Sequence, residues 1–595
     1  MEELGSWNRS CYCAELGKKD AGKKVCLMGW INSYRDHGGV VFIDLRDRTG
    51  LVQAVFNPSF EATAHDKASA IRNEWVIAIQ GEVRARPAEG INPKLKTGEI
   101  EVWVKELRIL NRAAATPFTI EDEIKVGEEL RLKYRYLDLR RPEMQKRIIA
   151  RHRVVKITRD YFDERGFYEI ETPFLTKSTP EGARDYLVPS RINPGKFYAL
   201  PQSPQLFKQI LMVAGFDRYF QVVRCLRDED LRADRQPEFT QIDVEISFPH
   251  PEDIYEIMES LLARIWKKIL NIDIPRPFPK MSWTEAMASY GTDRPDTRFG
   301  LLLKDLTDIF PNSEYRFFKQ AVAEGGIIKG MNAAGSAEWS RKDTDDLTHA
   351  LKAYGAKGLT VIRCQADGLA GPVVKYINPE EQKKMIERLQ AKPGDLIMIM
   401  ADKFAAANEG MSQLRQMVAK KMNIIPENKF NFLWVVDFPL FEWSETDKRW
   451  KSTHHPFTMP RPEDVDKLES DPGGIKALAY DVVLNGVEIG GGSIRIHRPD
   501  IQERVFRALG ITDAEAQLKF GFLVDAFKFG APPHGGIALG LDRLMQLLTG
   551  GNSIRDVIPF PKTQTGTDLM VDAPNDVSQE QLKELHLEVI KEDLS

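Results

Sequence analysis

A chain of 595 residues has room for three or four domains, each with its own core. Lys and Arg number 83 against 87 Asp and Glu; the net charge of −4 excludes a general electrostatic pull on nucleic acid, so any RNA must be held by local basic surface. No apolar run approaches the roughly 20 residues that span a bilayer. The start, MEELGSWNRS, carries no signal or transit pattern, and five scattered cysteines make no disulfide framework, so the expected setting is the cytoplasm, with no membrane partner.

In chain order, the first periodic region runs from about 24 to 110. The stretches KVCLMGWINSY, GVVFIDLRD and LVQAVF alternate as strands, a helical stretch follows near Phe60 to Arg72, and EWVIAIQGEVRAR and GEIEVWVKELRIL alternate again. Five strands with a helix between the third and fourth have the order of an OB-fold barrel, a common reader of oligonucleotides. Trp30, Tyr34, Arg35, Phe42, Arg46, Arg48 and Gln53 supply the rings and cations that such barrels use for bases and phosphates. Thr116-Pro117 marks a hinge. The segment Arg131 to Arg153, with nine basic residues against two acids, reads either as an RNA contact or as a solvated helix face.

The richest stretch is Tyr219 to Phe248: a strand, a charged loop and a second strand of clean parity. Phe239, Gln241, Asp243 and Glu245 share one face of the second strand; Thr240, Ile242, Val244 and Ile246 share the other. The apolar face packs on a core. The polar face, beside a loop with Arg227, Asp228, Glu229, Asp230, Arg232, Arg235 and Gln236, suits a flat ring, an anion and a cation side by side: an adenine, a phosphate and an amino acid. The bland alternative is a solvated edge hairpin. Neither a Gly-x-Gly-x-x-Gly turn nor a Walker loop occurs, so ATP would lie on a sheet instead.

Upstream, Ser203 and Pro204 read as the N-cap and first residue of a helix on which Gln205 and Lys208 share a face. Arg495 supplies a second cation. Two cations in one pocket would select a carboxylate over its amide, because the amide leaves buried charge unpaired at a cost of about 3–5 kcal/mol. Glu488 and Arg495 are seven residues apart, so on a regular strand they face opposite ways; if both serve one site, a bulge is needed, expected at Gly490-Gly491-Gly492. Residues 298–422 alternate helices with short strands (DTDDLTHALKAYG, then GLTVIRC) and carry no signature chemistry.

Three segments in order resemble the signature motifs of class II aminoacyl-tRNA synthetases: GFYEIETPFL around Pro173, Arg227-Asp228-Glu229 after an apolar strand, and GGIALGLDRL ending on Arg543. The resemblance is closest to the bacterial aspartyl-tRNA synthetases and runs nearly end to end. It implies an α+β multidomain protein: an OB-fold anticodon-binding barrel at 1–112, a hinge at 113–135, an antiparallel-sheet catalytic core at 136–297 and 423–558, an inserted α+β domain at 298–422, and a C-terminal extension at 559–595. By the same resemblance, ATP contacts fall on Arg227, Asp228, Glu229, Gln236, Phe239, Glu488, Gly540, Leu541, Asp542 and Arg543, with Phe239 and Arg543 sandwiching the adenine. Arg227, Arg543 and Glu488 carry the catalysis, and Asp481 and Glu488 hold Mg²⁺. L-Aspartate contacts fall on Glu181 (in a mobile loop), Gln205, Lys208, Arg227, Asp243, His454 and Arg495.

Arg35, Phe42 and Gln53 match anticodon contacts for tRNA(Asp). His37, in the turn after the first barrel strand, with Gly90 (or Glu89, if the loop is displaced by one), resembles the subtype that also charges tRNA(Asn) and works with an amidotransferase. Pro173 implies a homodimer. The rival readings are an asparaginyl-tRNA synthetase, an ammonia-dependent asparagine synthetase, and a catalytically dead tRNA-binding paralogue.

Overall fold

The structure, a computed structural model, describes residues 1–179, 183–231 and 234–590. Glu181 and Arg232 lie outside those residues. The chain divides into two compact units, residues 1–149 with 559–575, and residues 150–558 with 576–595.

In the first unit, β1 (Lys24–His37), β2 (Val40–Asp47), β3 (Gly50–Phe56), β4 (Val76–Ala85) and β5 (Ile100–Asn111) close a barrel in the order β1-β2-β3-β5-β4. The alternation in the sequence turns Leu27, Ile31, Ile43, Leu45, Val52, Ile79, Val102 and Val104 into the interior, where each is fully buried. β1 serves two neighbours because it is long: Lys24–Trp30 pairs with β4 and the remainder with β2, with an irregularity between Ile31 and Ser33. The helix Ala62–Ser69 packs Ala64 and Ala68 against this core.

Two expectations change here. His37 is the last residue of β1, opposite Val40, and Gly38-Gly39 alone make the turn; both have positive φ (60° and 82°), which the tight hairpin turn requires. The basic segment is solvated only in part: Lys133, Lys146 and Arg153 are exposed, while others of its arginines turn inward. Arg135 and Arg141 are buried on Asp138 at 2.6 and 2.8 Å, and Arg140 joins Arg46 on the buried Glu74 at 2.8 and 2.7 Å. Arg151, in the second unit, pairs with Asp542. Much of the basic charge is spent on internal carboxylates.

The second unit is built on an eight-stranded sheet ordered 280–282, 432–436, 479–484, 487–494, 534–540, 238–247, 218–226, 168–169. Its six inner strands are antiparallel and each edge strand is parallel to its neighbour. The predicted parity holds: Ile242, Val244 and Ile246 face a core shared with Ile254, Met258, Leu262 and Trp266 of the helix Pro251–Leu270. The opposite face is left for polar side chains. A second sheet, ordered 304–305, 327–333, 396–402, 360–365, 368–370, lies in the sequence between the first two strands of the large sheet and has an apolar core on each side. Within it the helix Arg341–Leu351 is followed by a short turn ended by Gly355 at φ 79°, then by the strand Thr360–Gln365, as the sequence suggests.

Candidate active site

The required bulge exists. Val482 pairs with Gly490 and Val483 with Glu488, so Ile489 is the extra residue. It lies one position before the three glycines to which it was assigned. The extra residue resets the alternation, and Glu488 and Arg495 both line one cavity of about 490 Å³ on the polar face of the large sheet.

Gln205, Lys208, Asp243, His454 and Arg495 line one part of this cavity. The helix Gln205–Val213 starts one residue later than expected, with Ser203 Oγ accepting only a long bond from Gln205 N (3.4 Å). Lys208 is 1% exposed and its Nζ donates to Asp243 Oδ2 at 3.0 Å; Glu245 Oε2 lies 3.2 Å away. Arg495, 2% exposed, donates Nε to Glu245 Oε1 at 3.0 Å and Nη2 to Oε2 at 3.2 Å. The result is a buried lattice of two cations and two carboxylates. Burial raises the Asp243 carboxyl to about 6 even though Lys208 opposes the shift. Glu245 moves the other way: burial is outweighed by Arg495 and Lys208, which hold it below the usual carboxylate range. Gln205 Nε2 is buried without a hydrogen-bond partner, a donor left for a ligand, whereas Asp243 Oδ1 accepts no well-aligned hydrogen bond but lies 3.0 Å from Lys208 Nζ.

Arg227, Glu229, Gln236, Phe239, Glu488, Gly540, Asp542 and Arg543 line the remainder with Asp481. The guanidinium over the Phe239 ring is that of Arg227, at 5.0 Å from the centroid. Arg543 turns instead to the backbone oxygen of Glu488 (3.2 Å) and towards Asp234 (3.5 Å). Asp542 accepts from Thr240 N at 2.8 Å and pairs with Arg151, pinning the start of the helix Leu541–Thr549 to the 238–247 strand and so setting the root of Arg543. Two of the expected ATP contacts do not line the cavity. Leu541 is buried in the hydrophobic core, and Asp228 faces Arg184 at 3.4 Å.

Asp481 and Glu488 approach each other over Gly491, where a Cβ would stand 2.6 Å from Asp481 Oδ1 and 3.8 Å from Glu488 Oε1. Asp481 Oδ1 is buried and accepts no hydrogen bond, though His454 Nε2 lies 3.5 Å away. Burial, then Asp481, push the Glu488 carboxyl up. Burial works against a charged His454, but Asp481, Glu488 and Asp293 outweigh it and raise this imidazole. Among the described residues no group of three or more His, Cys, Asp or Glu forms a closed metal cage. An open pair of carboxylates is the donor set that suits Mg²⁺ shared with phosphate oxygens.

Sequence reasoning missed three participants. Glu245 was placed on the correct face but not recognised as the partner of both cations. His455 lies with Nε2 against Arg495 Nη1, and burial, then Arg495, hold it neutral. Asp293 also lines the cavity, and no motif marks it. The anticodon candidates are in the first unit. Arg35 and Phe42 are cross-strand partners, as are Asp44 and Gln53, and Arg35 donates to Asp44 at 3.0 Å and Gln53 at 3.4 Å; all four share one outer barrel face.

Residues 127–564 match the tRNA synthetases class II (D, K and N), and residues 25–110 match the OB-fold nucleic acid binding domain. The chain belongs to the class II tRNA synthetases. It is 56% identical over 590 residues to the aspartate–tRNA(Asp/Asn) ligase of Geotalea uraniireducens, covering 99% of this chain and all of the relative. It is 55% identical over 588 residues to the enzyme of that name from Caldanaerobacter subterraneus subsp. tengcongensis, covering 99% of each. Among solved structures, asparaginyl-tRNA synthetase from Pyrococcus horikoshii, complexed with asparaginyl-adenylate, superposes with a TM-score of 0.59 at 19% identity, covering 93% of this chain and 98% of that one; it supports the class II fold.

Proposed function

We propose that this protein is an aspartate–tRNA ligase that activates L-aspartate with ATP and transfers it to tRNA(Asp) and to tRNA(Asn). The observation that carries the choice of amino acid is the Lys208–Asp243–Glu245–Arg495 lattice in one wall of a cavity large enough for an aminoacyl nucleotide. Lys208 Nζ and Arg495 offer donors to a side-chain carboxylate, and Asp243 Oδ1 offers an acceptor to an ammonium. Asparagine would leave a buried cation unpaired.

In this reading the base stacks on Phe239 with a guanidinium on its other side. Arg227 stands over that ring at 5.0 Å, so adenine and this guanidinium compete for one face, and the α-phosphate is the anion to which Arg227 would turn. An oxygen of the aspartate α-carboxylate attacks the α-phosphorus in line, the bond to pyrophosphate breaks, and Arg227 and Arg543 spread the negative charge. No side chain acts as nucleophile. Asp481 and Glu488 are the residues that would hold Mg²⁺, which supplies charge neutralisation at the phosphates. The terminal ribose hydroxyl of tRNA then attacks the aspartyl carbonyl, releasing AMP. The barrel face at Arg35, Phe42 and Gln53 is assigned to the anticodon, and His37 with the Glu89–Gly90 turn to tolerance of tRNA(Asn); a tRNA-dependent amidotransferase would then consume the mischarged product. Exposed Tyr168, Phe174 and Leu175 flank Pro173 and support a homodimer through this segment.

Pyrophosphate–ATP exchange with aspartate and with asparagine, followed by aminoacylation of purified tRNA(Asp) and tRNA(Asn), tests the assignment. Exchange with asparagine in preference to aspartate would refute the amino acid, and no charging of tRNA(Asn) would refute the relaxed tRNA specificity.

A further inference from the structure

Two of the most buried cations in the second unit are not in the cavity and, among the described residues, have no carboxylate within ion-pair distance. Lys329, 2% exposed on the strand Ile327–Ala333, donates to Ala288 O at 3.1 Å, and to Met287 O and Asn408 Oδ1. Arg415, 1% exposed on the helix Phe404–Lys421, donates to Asp296 O (2.9 Å), Phe299 O (2.9 Å), Gly300 O (2.8 Å) and Leu301 O (3.1 Å), with its guanidinium 4.1 Å from the Phe299 ring centroid.

A buried charge satisfied only by carbonyls is costly, and it persists where geometry is the gain. Here every backbone carbonyl these donors reach lies in one segment, 287–301. Lys329 meets the last turn of the helix Trp283–Tyr290, where the helix dipole favours a cation and Met287 O also accepts from Gly291 N at 3.1 Å. Gly291, at φ 69°, follows at once, and a Cβ there would stand 2.5 Å from Asn408 O.

The same segment meets the catalytic strands on its other side. Asn431 Nδ2 donates to Thr297 O at 3.1 Å, and a Cβ on Gly486, in the hairpin joining the Asp481 and Glu488 strands, would stand 3.1 Å from Asp296 Cβ. Between these two grips Asp293 enters the cavity. Its charge environment is made by Arg294, Glu488 and His454, which places it with the metal-binding pair rather than with the Lys208 lattice.

We propose that the inserted domain completes the catalytic pocket: Lys329 and Arg415 clamp segment 287–301 so that Asp293, a positioning residue, shapes the nucleotide end of the cavity. This rests on the reading of that end as the ATP site. The inserted domain thereby contributes to ATP binding from outside the cavity.

The test is calorimetric titration of ATP, with exchange kinetics alongside, on the full-length protein and on Asp293→Asn, Lys329→Met and the double variant. Each single variant is expected to weaken ATP about tenfold, the scale of a small misplacement of a binding group. The KM for aspartate should stay within about twofold, and the double variant should be no worse than either single one, because both changes act on one contact set. Unchanged ATP affinity in either single variant, additive losses, or an equal rise in the aspartate KM would overturn the proposal. Should Lys329→Met not fold, Asn408→Ala and Arg415→Lys carry the same expectation and the same refutation. ATP titration needs no aspartate, so a wild-type protein that binds ATP but exchanges nothing with aspartate refutes the functional reading alone, and the titrations still decide the clamp.

Discussion

Replacing Lys208 with Met keeps the volume of the side chain and removes its charge. In the native pocket two cations face two carboxylates, and both contacts of Lys208 Nζ are near 3 Å in a fully buried setting. Without Lys208, Arg495 remains, already engaged by both oxygens of Glu245. An incoming aspartate side chain then meets one cation in place of two. Loss of a buried, hydrogen-bonded charge partner costs about 3–5 kcal/mol, so kcat/KM for aspartate in pyrophosphate exchange should fall roughly a hundredfold to several thousandfold. Neutral asparagine loses only a hydrogen bond, about 1 kcal/mol, so the aspartate preference should shrink by at least about tenfold. The chain should still fold, because Asp243, whose carboxyl titrates at about 6 with Lys208 present, can take a proton rather than remain an unpaired anion. Equal losses for the two amino acids, or a fall below about threefold for aspartate, would show that Lys208 is structural and that the selection lies elsewhere.

Asp243 also gives a pH signature. Its folded pKa is raised, to about 6, so between about pH 4 and about pH 6 the folded chain keeps a proton that the unfolded chain releases; this group alone lowers stability by about 3 kcal/mol as pH rises across that window and adds nothing beyond it. Chemical denaturation of Asp243→Asn without substrates should lack that slope, and an unchanged slope would assign it to other groups. Gly491→Ala pushes a methyl to within 2.6 Å of Asp481 Oδ1. Exchange should drop by at least about tenfold and its half-saturating Mg²⁺ should rise, with the thermal midpoint barely moved; wild-type Mg²⁺ dependence would remove Asp481 from the metal site. Phe42→Ala should raise the KM for tRNA by roughly five- to a hundredfold, the range of one lost base stack, and leave tRNA-independent exchange untouched. A loss of exchange there would mean that the barrel mutation disturbs the fold.

Local pattern carried far in this chain because strand parity and loop composition are short-range properties. The two-residue alternation of 239–246 assigns each side chain to a face before any contact is known, and the sheet obeys it. Parity even exposed its own exception: the odd spacing of Glu488 and Arg495 demanded a bulge, and only its placement, at Ile489 rather than in the glycines, was off by one. The barrel order was legible for the same reason, and relatives matching over nearly the whole chain bear out the family. Charge composition was less informative, since a count of arginines does not tell where carboxylates lie. Arg135, Arg140 and Arg141 look like an RNA-binding face until Asp138 and Glu74 are found beneath them.

From its sequence alone, then, this protein has its strands, its faces, its three ordered motifs and the two cations, Lys208 and Arg495, that its fold brings to one cavity. Tertiary structure decided which partners those cations meet. Glu245 and Arg495 are 250 residues apart, and Lys329, on the second sheet, meets the helix end at Met287 from 42 residues away. Backbone periodicity is written within a few residues and survives any packing. Pairing between distant buried charges exists only once the chain has closed around them, because only there does the loss of water make a partner obligatory.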